Sequence, residues 1–222
     1  MVTRGRSDAD GCFTGRVNTW RLPGPHAATR RLEGVPDVHA ETLRTVLRRF
    51  ATGVAVVTTW DGDRPWGTTV NSFSSVSLRP PLVLVAFDRE RRIVPALRRT
   101  GRYAVNILGE GQRALSDCFA GGPAPRDHSA SDSSDGSDER DRLCGAEWHR
   151  GATGLPVLAD AIASLECTLV DIHPAGDHDL YLARVDSTTA AAADPMPLLY
   201  YEGRYLRIEH AVSLELEGKA ER

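Results

Sequence analysis

Hydroxyl-bearing and apolar side chains change over abruptly in the first half of this chain. Thr68, Thr69, Asn71, Ser72, Ser74, Ser75 and Ser77 crowd the stretch WGTTVNSFSSVSLRPP, and the run 82–87 (LVLVAF) that follows is β-prone and apolar, as a buried strand requires. A buried hydroxyl or amide without a hydrogen bond costs about 1–3 kcal/mol. A whole row of them at the start of a core strand therefore predicts that a polar, non-protein group is held there.

The pattern elsewhere supplies the frame. In 39–52, Leu43, Val46, Leu47 and Phe50 fall at helical spacing on one stripe, with Arg44, Arg48 and Arg49 on the other faces and Gly53 able to end the helix. Next, 54–59 (VAVVTT) reads as a strand, and Asp61-Gly62 as a hairpin that returns the chain antiparallel into the hydroxyl row. Pro80 and Pro81 cannot donate to a ladder and mark a corner before 82–87. A helix at 93–99 ended by Gly101, a strand at 103–108 (YAVNIL) and a helix at 112–119 follow. Segments 162–173 and 179–187 read as strands joined at Pro174-Ala175-Gly176, and 198–201 with 205–208 as a last hairpin around Glu202-Gly203. Many antiparallel strands, short helices, no βαβ alternation and no G-x-G-x-x-G turn predict a mainly β fold, a closed or nearly closed antiparallel barrel with no Rossmann domain.

Composition narrows the function classes. With 27 basic and 30 acidic residues among 222, the net charge of -3 offers no general attraction to nucleic acid or anionic membrane. No stretch approaches the roughly 18 apolar residues of a membrane span, and the opening MVTRGRSDADG lacks the apolar region of a secretory signal, so the expected location is the cytoplasm. Cys12, Cys118, Cys144 and Cys167 form no C-x-x-C pair; reduced thiols are expected, with Cys118 and Cys167 as small core residues. Residues 1–36 read as a flexible N-terminal extension, 37–211 as one domain carrying a mobile acidic insertion at 121–141, and 212–222 as a tail.

The order of these segments is itself informative: ATGVAVVTT, a DG hairpin, GTTVNSFSSVSLRPPLVLVAFDR, YAVNIL, LEC, GDHDLYLARV and PLLYYEGRY. It resembles the flavin reductase-like family of FMN-binding split barrels, which includes the reductase components of two-component flavin monooxygenases, over about residues 39–210. The resemblance implies a homodimer with FMN or FAD near the subunit interface, reduced by NADH or NADPH and passed to a partner monooxygenase. It implies flavin contacts at Thr69, Val70, Asn71, Ser72, Ser74 and Ser75, with Phe87, Asp88 and Arg89 by the flavin tail and Asn106 supporting the site. His178, in Gly176-Asp177-His178, would meet the nicotinamide, with Tyr201 as a further candidate. Two departures stand out: Val70 replaces the alanine of a T-A-N-S pattern, and Glu90, Arg91 and Arg92 follow Asp88-Arg89 where relatives often carry small hydroxyl residues.

No acid, base, nucleophile or metal ligand is required for hydride transfer between two stacked rings, because the protein's work there is positioning. The bland readings remain beside these. The hydroxyl row reads equally as a polar-faced strand meeting water, His178 as a solvated turn histidine, His173 with His178 and neighbouring carboxylates as a metal cluster, and Arg89, Arg91 and Arg92 as a solvated helix face. The alternative functions are a flavin-retaining electron carrier and a non-catalytic split barrel; a pyridoxamine-phosphate-type oxidase would display more basic phosphate ligands.

Overall fold

Residues 38–122, 143–192 and 195–208 are described in a computed structural model of the chain. The expected extension 1–36, nearly all of the insertion 121–141 and the tail 212–222 lie outside the described residues. In chain order the elements are α1 (Ala40–Leu47), β1 (Thr52–Gly53), β2 (Ala55–Asp61), β3 (Arg64–Val70), β4 (Ser74–Leu78), β5 (Pro81–Asp88), α2 (Val94–Thr100), β6 (Arg102–Ile107), a 3-10 turn (Glu110–Gln112), α3 (Arg113–Phe119), β7 (Trp148–Arg150), β8 (Pro156–Leu158), β9 (Ala163–Ala175), β10 (His178–Ala190), β11 (Leu199–Tyr201) and β12 (Arg204–Leu206).

Seven strands form one antiparallel sheet in the order β3-β2-β6-β9-β10-β5-β4, and β1-β11-β12 form a second. The large sheet is rolled. Val70 from β3, near one end of that order, and Val83, Val85 and Phe87 from β5, near the other, belong to one buried cluster with Val57, Tyr103, Val105, Cys167, Tyr181 and Ala183. Alternation along each strand sends these residues inward and their neighbours outward. Burial of each such Val, Leu or Phe contributes about 1.5–3 kcal/mol, so the shared interior is the main source of stability.

A second cluster covers the outside of β2, β3 and β6: Val54, Val56, Leu108, Phe119, Leu143, Cys144, Leu158 and Leu198. Helix α3 reaches the sheet there because residue 67 is glycine; a Cβ at Gly67 would lie 2.4 Å from the Phe119 ring. Cys118 on α3 is disulfide-bonded to Cys144, with Cα atoms 6.1 Å apart. This corrects the expectation of reduced thiols for that pair, and Cys167 is the free, buried cysteine among the described residues.

The helical spacing of 39–52 is realised in α1 as far as Leu47, and among the described residues its apolar stripe stays exposed: Val46 is 62% exposed, Leu43 and Leu47 are exposed too, and Phe50, just beyond the helix, is 76% exposed. No helix among the described residues is long and apolar enough to cross a membrane.

Candidate functional site

The β9–β10 hairpin turns at Gly176, whose φ of 65° lies in the left-handed region that glycine tolerates, and delivers Asp177 and His178 to the end of the sheet. His178 then pairs with Asp88 of β5 and Ala175 of β9. Opposed residues share a face, so His178 and Asp88 point the same way, out of the barrel. Leu180 and Leu182 continue that face along β10, opposite Ala86 and Leu84, and Ser74 of β4 lies opposite Leu84. Ser72 joins them: its hydroxyl donates to Ala86 O at 2.7 Å and accepts from Ala86 N at 3.2 Å. The structure thus brings Ser72, Ser74, Asp88 and His178 onto one face whose floor, Leu84, Ala86, Leu180 and Leu182, is half-buried.

His178 is 43% exposed, and its Nδ1 lies 2.7 Å from Asp177 Oδ1. That hydrogen bond and the imidazole's charge hold the Asp177 carboxyl below the usual carboxylate range. A carboxylate can only accept here, so Nδ1 is the donor in this pair.

The remaining expected residues are placed differently. Thr69 lies in a cross-strand row with Val56 and Asn106 on the outer face beneath α3, and its hydroxyl donates to Ser116 O at 2.7 Å. Asn106 is fully buried and engaged four times: Nδ2 donates to Val56 O and Thr58 Oγ1, and Oδ1 accepts from Leu158 N and Ser164 Oγ, all at 3.0 Å. Two donors and two lone pairs are all an amide has, so the Asn106 side chain is fully engaged in tying β2, β6, β8 and β9 together. The Phe87 ring is in the core, edge-on to Tyr181 with centroids 5.0 Å apart. Val70 is a core residue too. Tyr201 sits on the three-stranded sheet beside Arg49 rather than on the His178 face.

The hydroxyl row is therefore not a set of orphans. Thr69 and Ser72 hold backbone groups, and among the described residues the buried side-chain atoms without a partner are Thr52 Oγ1 and Tyr181 Oη, the latter near Arg98. What the bend does present to solvent is Asn71 and Ser75, both exposed, with Ser75 opposite Val83 on the edge strand β4. A bulge between Ser75 and Ser77 breaks the register of β4 there. A half-buried apolar floor rimmed by amide, hydroxyl and main-chain groups fits a flat ring with a polar edge.

The sequence model of the flavin reductase like domain matches residues 47–209. This chain belongs to that family. As a flavin reductase-like protein it is 38% identical over 193 residues to the NADH-dependent FMN reductase AsuE2 of Streptomyces nodosus subsp. asukaensis, covering 87% of this chain and 97% of that one. It is 35% identical over 174 residues to the reductase subunit HsaB of a flavin-dependent monooxygenase of Mycobacterium tuberculosis, covering 78% and 84%. Its fold matches the NADH:FAD oxidoreductase SgcE6 of Streptomyces globisporus, solved with NAD and FAD fragments, with a TM-score of 0.66 at 32% identity over 82% of this chain and all of that one. The expected antiparallel split barrel without a Rossmann domain is the fold of this flavin reductase-like chain.

One buried charge beside His178 escaped sequence reasoning. Asp179 looks like one more carboxylate in the polar string HPAGDHD, yet it is 3% exposed and paired with two arginines. The signal was available in the alternation: Asp179 shares its phase with Tyr181 and Ala183, which are core residues.

Proposed function

We propose that the chain is an NAD(P)H:flavin oxidoreductase that reduces FMN or FAD and supplies the product to a separate monooxygenase, working as a cytoplasmic homodimer. The observation that carries this reading is the pairing of His178 with Asp88 across β10 and β5, on a leucine-floored face shared with Ser72 and Ser74, in a chain of this family. The relatives' names, which specify NADH, favour NADH over NADPH as the donor.

In this reading the main chain at Val70 and Ser72, with the side chains of Asn71, Ser74 and Ser75, hold the flavin edge, and Arg89 faces its phosphate end. Bound flavin supplies the acceptor for the nicotinamide hydride. The leucine floor excludes water, and His178, with Nδ1 fixed by Asp177, offers Nε2 to the nicotinamide amide and so orients the donor ring. No side chain moves a proton in this scheme. The exposed stripe of α1 supplies apolar surface for the second subunit.

Purified protein mixed with FMN, FAD or riboflavin and NADH or NADPH tests the reading through loss of the nicotinamide absorbance. Flavin-dependent oxidation is expected, with NADH preferred and the flavin separating from the protein on gel filtration. Absence of flavin-stimulated oxidation with every pair sinks it; protein that stays yellow through gel filtration favours the electron carrier instead.

A further inference from the structure

Asp179 follows His178 in β10 and faces the opposite way, into the barrel end beside Phe87, its partner in the ladder. A buried carboxylate persists only when its charge is paired and its lone pairs are engaged. Both conditions hold. Arg89 Nε donates to Asp179 Oδ1 at 2.8 Å, and Arg98 Nη2 of α2 donates to Oδ2 at 2.6 Å. The two arginines bracket the connection from β5 through α2, so this one carboxylate fastens both ends of that connection to β10.

Arg89 does more than neutralise. Its Nη2 donates to His178 O at 3.2 Å, and its main-chain N–H donates to Asp177 O at 3.4 Å. The guanidinium fork thus spans Asp179 and His178 together, and its rigid planar shape sets their relative position. Arg98 makes no such bond to His178.

We propose that Asp179 is a positioning residue for nicotinamide recognition: through the Arg89 guanidinium it fixes the His178 carbonyl, and with it the backbone that carries the imidazole. The inference rests on the reading of His178 as the nicotinamide contact. Small displacements matter at such a position, because a group that orients a ring for hydride transfer must be held to within about 0.5 Å.

The test compares Asp179→Asn, His178→Ala, the double variant and Arg98→Met. NADH oxidation with saturating flavin gives KM and kcat, fluorescence titration gives flavin affinity, and thermal unfolding gives stability. Asp179→Asn is expected to raise the KM for NADH about 5- to 10-fold, with flavin affinity within about twofold of the parent, and to add nothing in the His178→Ala background. Arg98→Met, which removes an arginine from the same carboxylate, is expected to lower the unfolding temperature while leaving the KM for NADH within about twofold. Should Asp179→Asn not fold, Asp179→Glu substitutes for it, since the longer carboxylate keeps the charge and displaces the Arg89 fork; the same rise in KM, absent in the His178→Ala background, is expected.

An unchanged KM for NADH, a rise that persists undiminished without His178, or an equal rise in Arg98→Met overturns the proposal. If His178→Ala alone leaves the KM for NADH unchanged, the His178 reading itself has failed, and that outcome is distinct from a normal His178 effect with no contribution from Asp179.

Discussion

The Phe119 ring rests directly on the main chain at Gly67, where an added Cβ would lie 2.4 Å from Cε1 and 2.9 Å from Cδ1. This contact seats α3 on β3 and, with the bond from Thr69 to Ser116 O, makes the helix and the strand one unit. Gly67→Ala forces the ring to move within a packed cluster, an overpacking cost of about 1–3 kcal/mol. A thermal midpoint several degrees lower is expected; an unchanged midpoint would mean that α3 is not seated as described.

Asn106 and Asn71 make opposite predictions despite both standing in the expected flavin site. Asn106→Leu leaves Leu158 N–H, Val56 O and their neighbours unsatisfied inside the protein, at about 1–3 kcal/mol for each buried group. A large loss of stability is expected, with the flavin affinity of the folded fraction unchanged. Asn71→Leu, at an exposed bend, should leave the unfolding temperature alone and weaken flavin binding. Denaturant titration beside flavin titration checks both, and a swap of the two outcomes would reverse the assignments.

The uncovered stripe of α1 predicts self-association. Phe50→Glu places a charge where the second subunit is expected, so sedimentation should shift from dimer toward monomer. The end of α1 is tied to the β11–β12 hairpin through Glu202 N–H to Arg48 O, 2.9 Å, which should keep the chain folded while it dissociates. A variant that stays fully dimeric places the interface elsewhere.

Alkaline stability follows from the buried thiol. Burial, with the charges of Asp186 and Glu166, pushes Cys167 from 9.0 up to about 12, and burial raises Tyr103 as well. Between those values the unfolded chain has lost the thiol proton and the folded chain keeps it, so the unfolded state binds fewer protons and stability falls as pH rises. The contribution is fully present below pH 9 and lost as pH climbs toward about 12. Unfolding temperatures measured across that range should decline, and Cys167→Ala should decline less; equal slopes would remove Cys167 as a cause.

Much of the fold was legible because its signals are local. The run 82–87 became β5, Asp61-Gly62 closed β2 onto β3, and Glu202 and Gly203, with φ of 50° and 78°, made the tight turn of β11 and β12. The short hairpin of β7 and β8 went unread because three-residue strands carry little periodicity. The site was legible in its members and less so in their duties. Hydroxyl content announced a polar bend, but only the packing of α3 and β5 reveals that Thr69 and Ser72 bond to carbonyls of Ser116 and Ala86. The Cys118–Cys144 bond joins residues 26 apart on either side of a low-complexity stretch, where spacing carries no pairing information.

Consecutive residues of β10 look in opposite directions, His178 outward and Asp179 inward. Deleting or inserting a single amino acid between Gly176 and Tyr181 would invert that parity, driving an imidazole toward the interior and leaving the two guanidiniums without their counter-ion. Length in this hairpin is therefore under stricter constraint than identity: a substitution loses one partner, whereas a frame slip disables recognition and its anchor at a stroke.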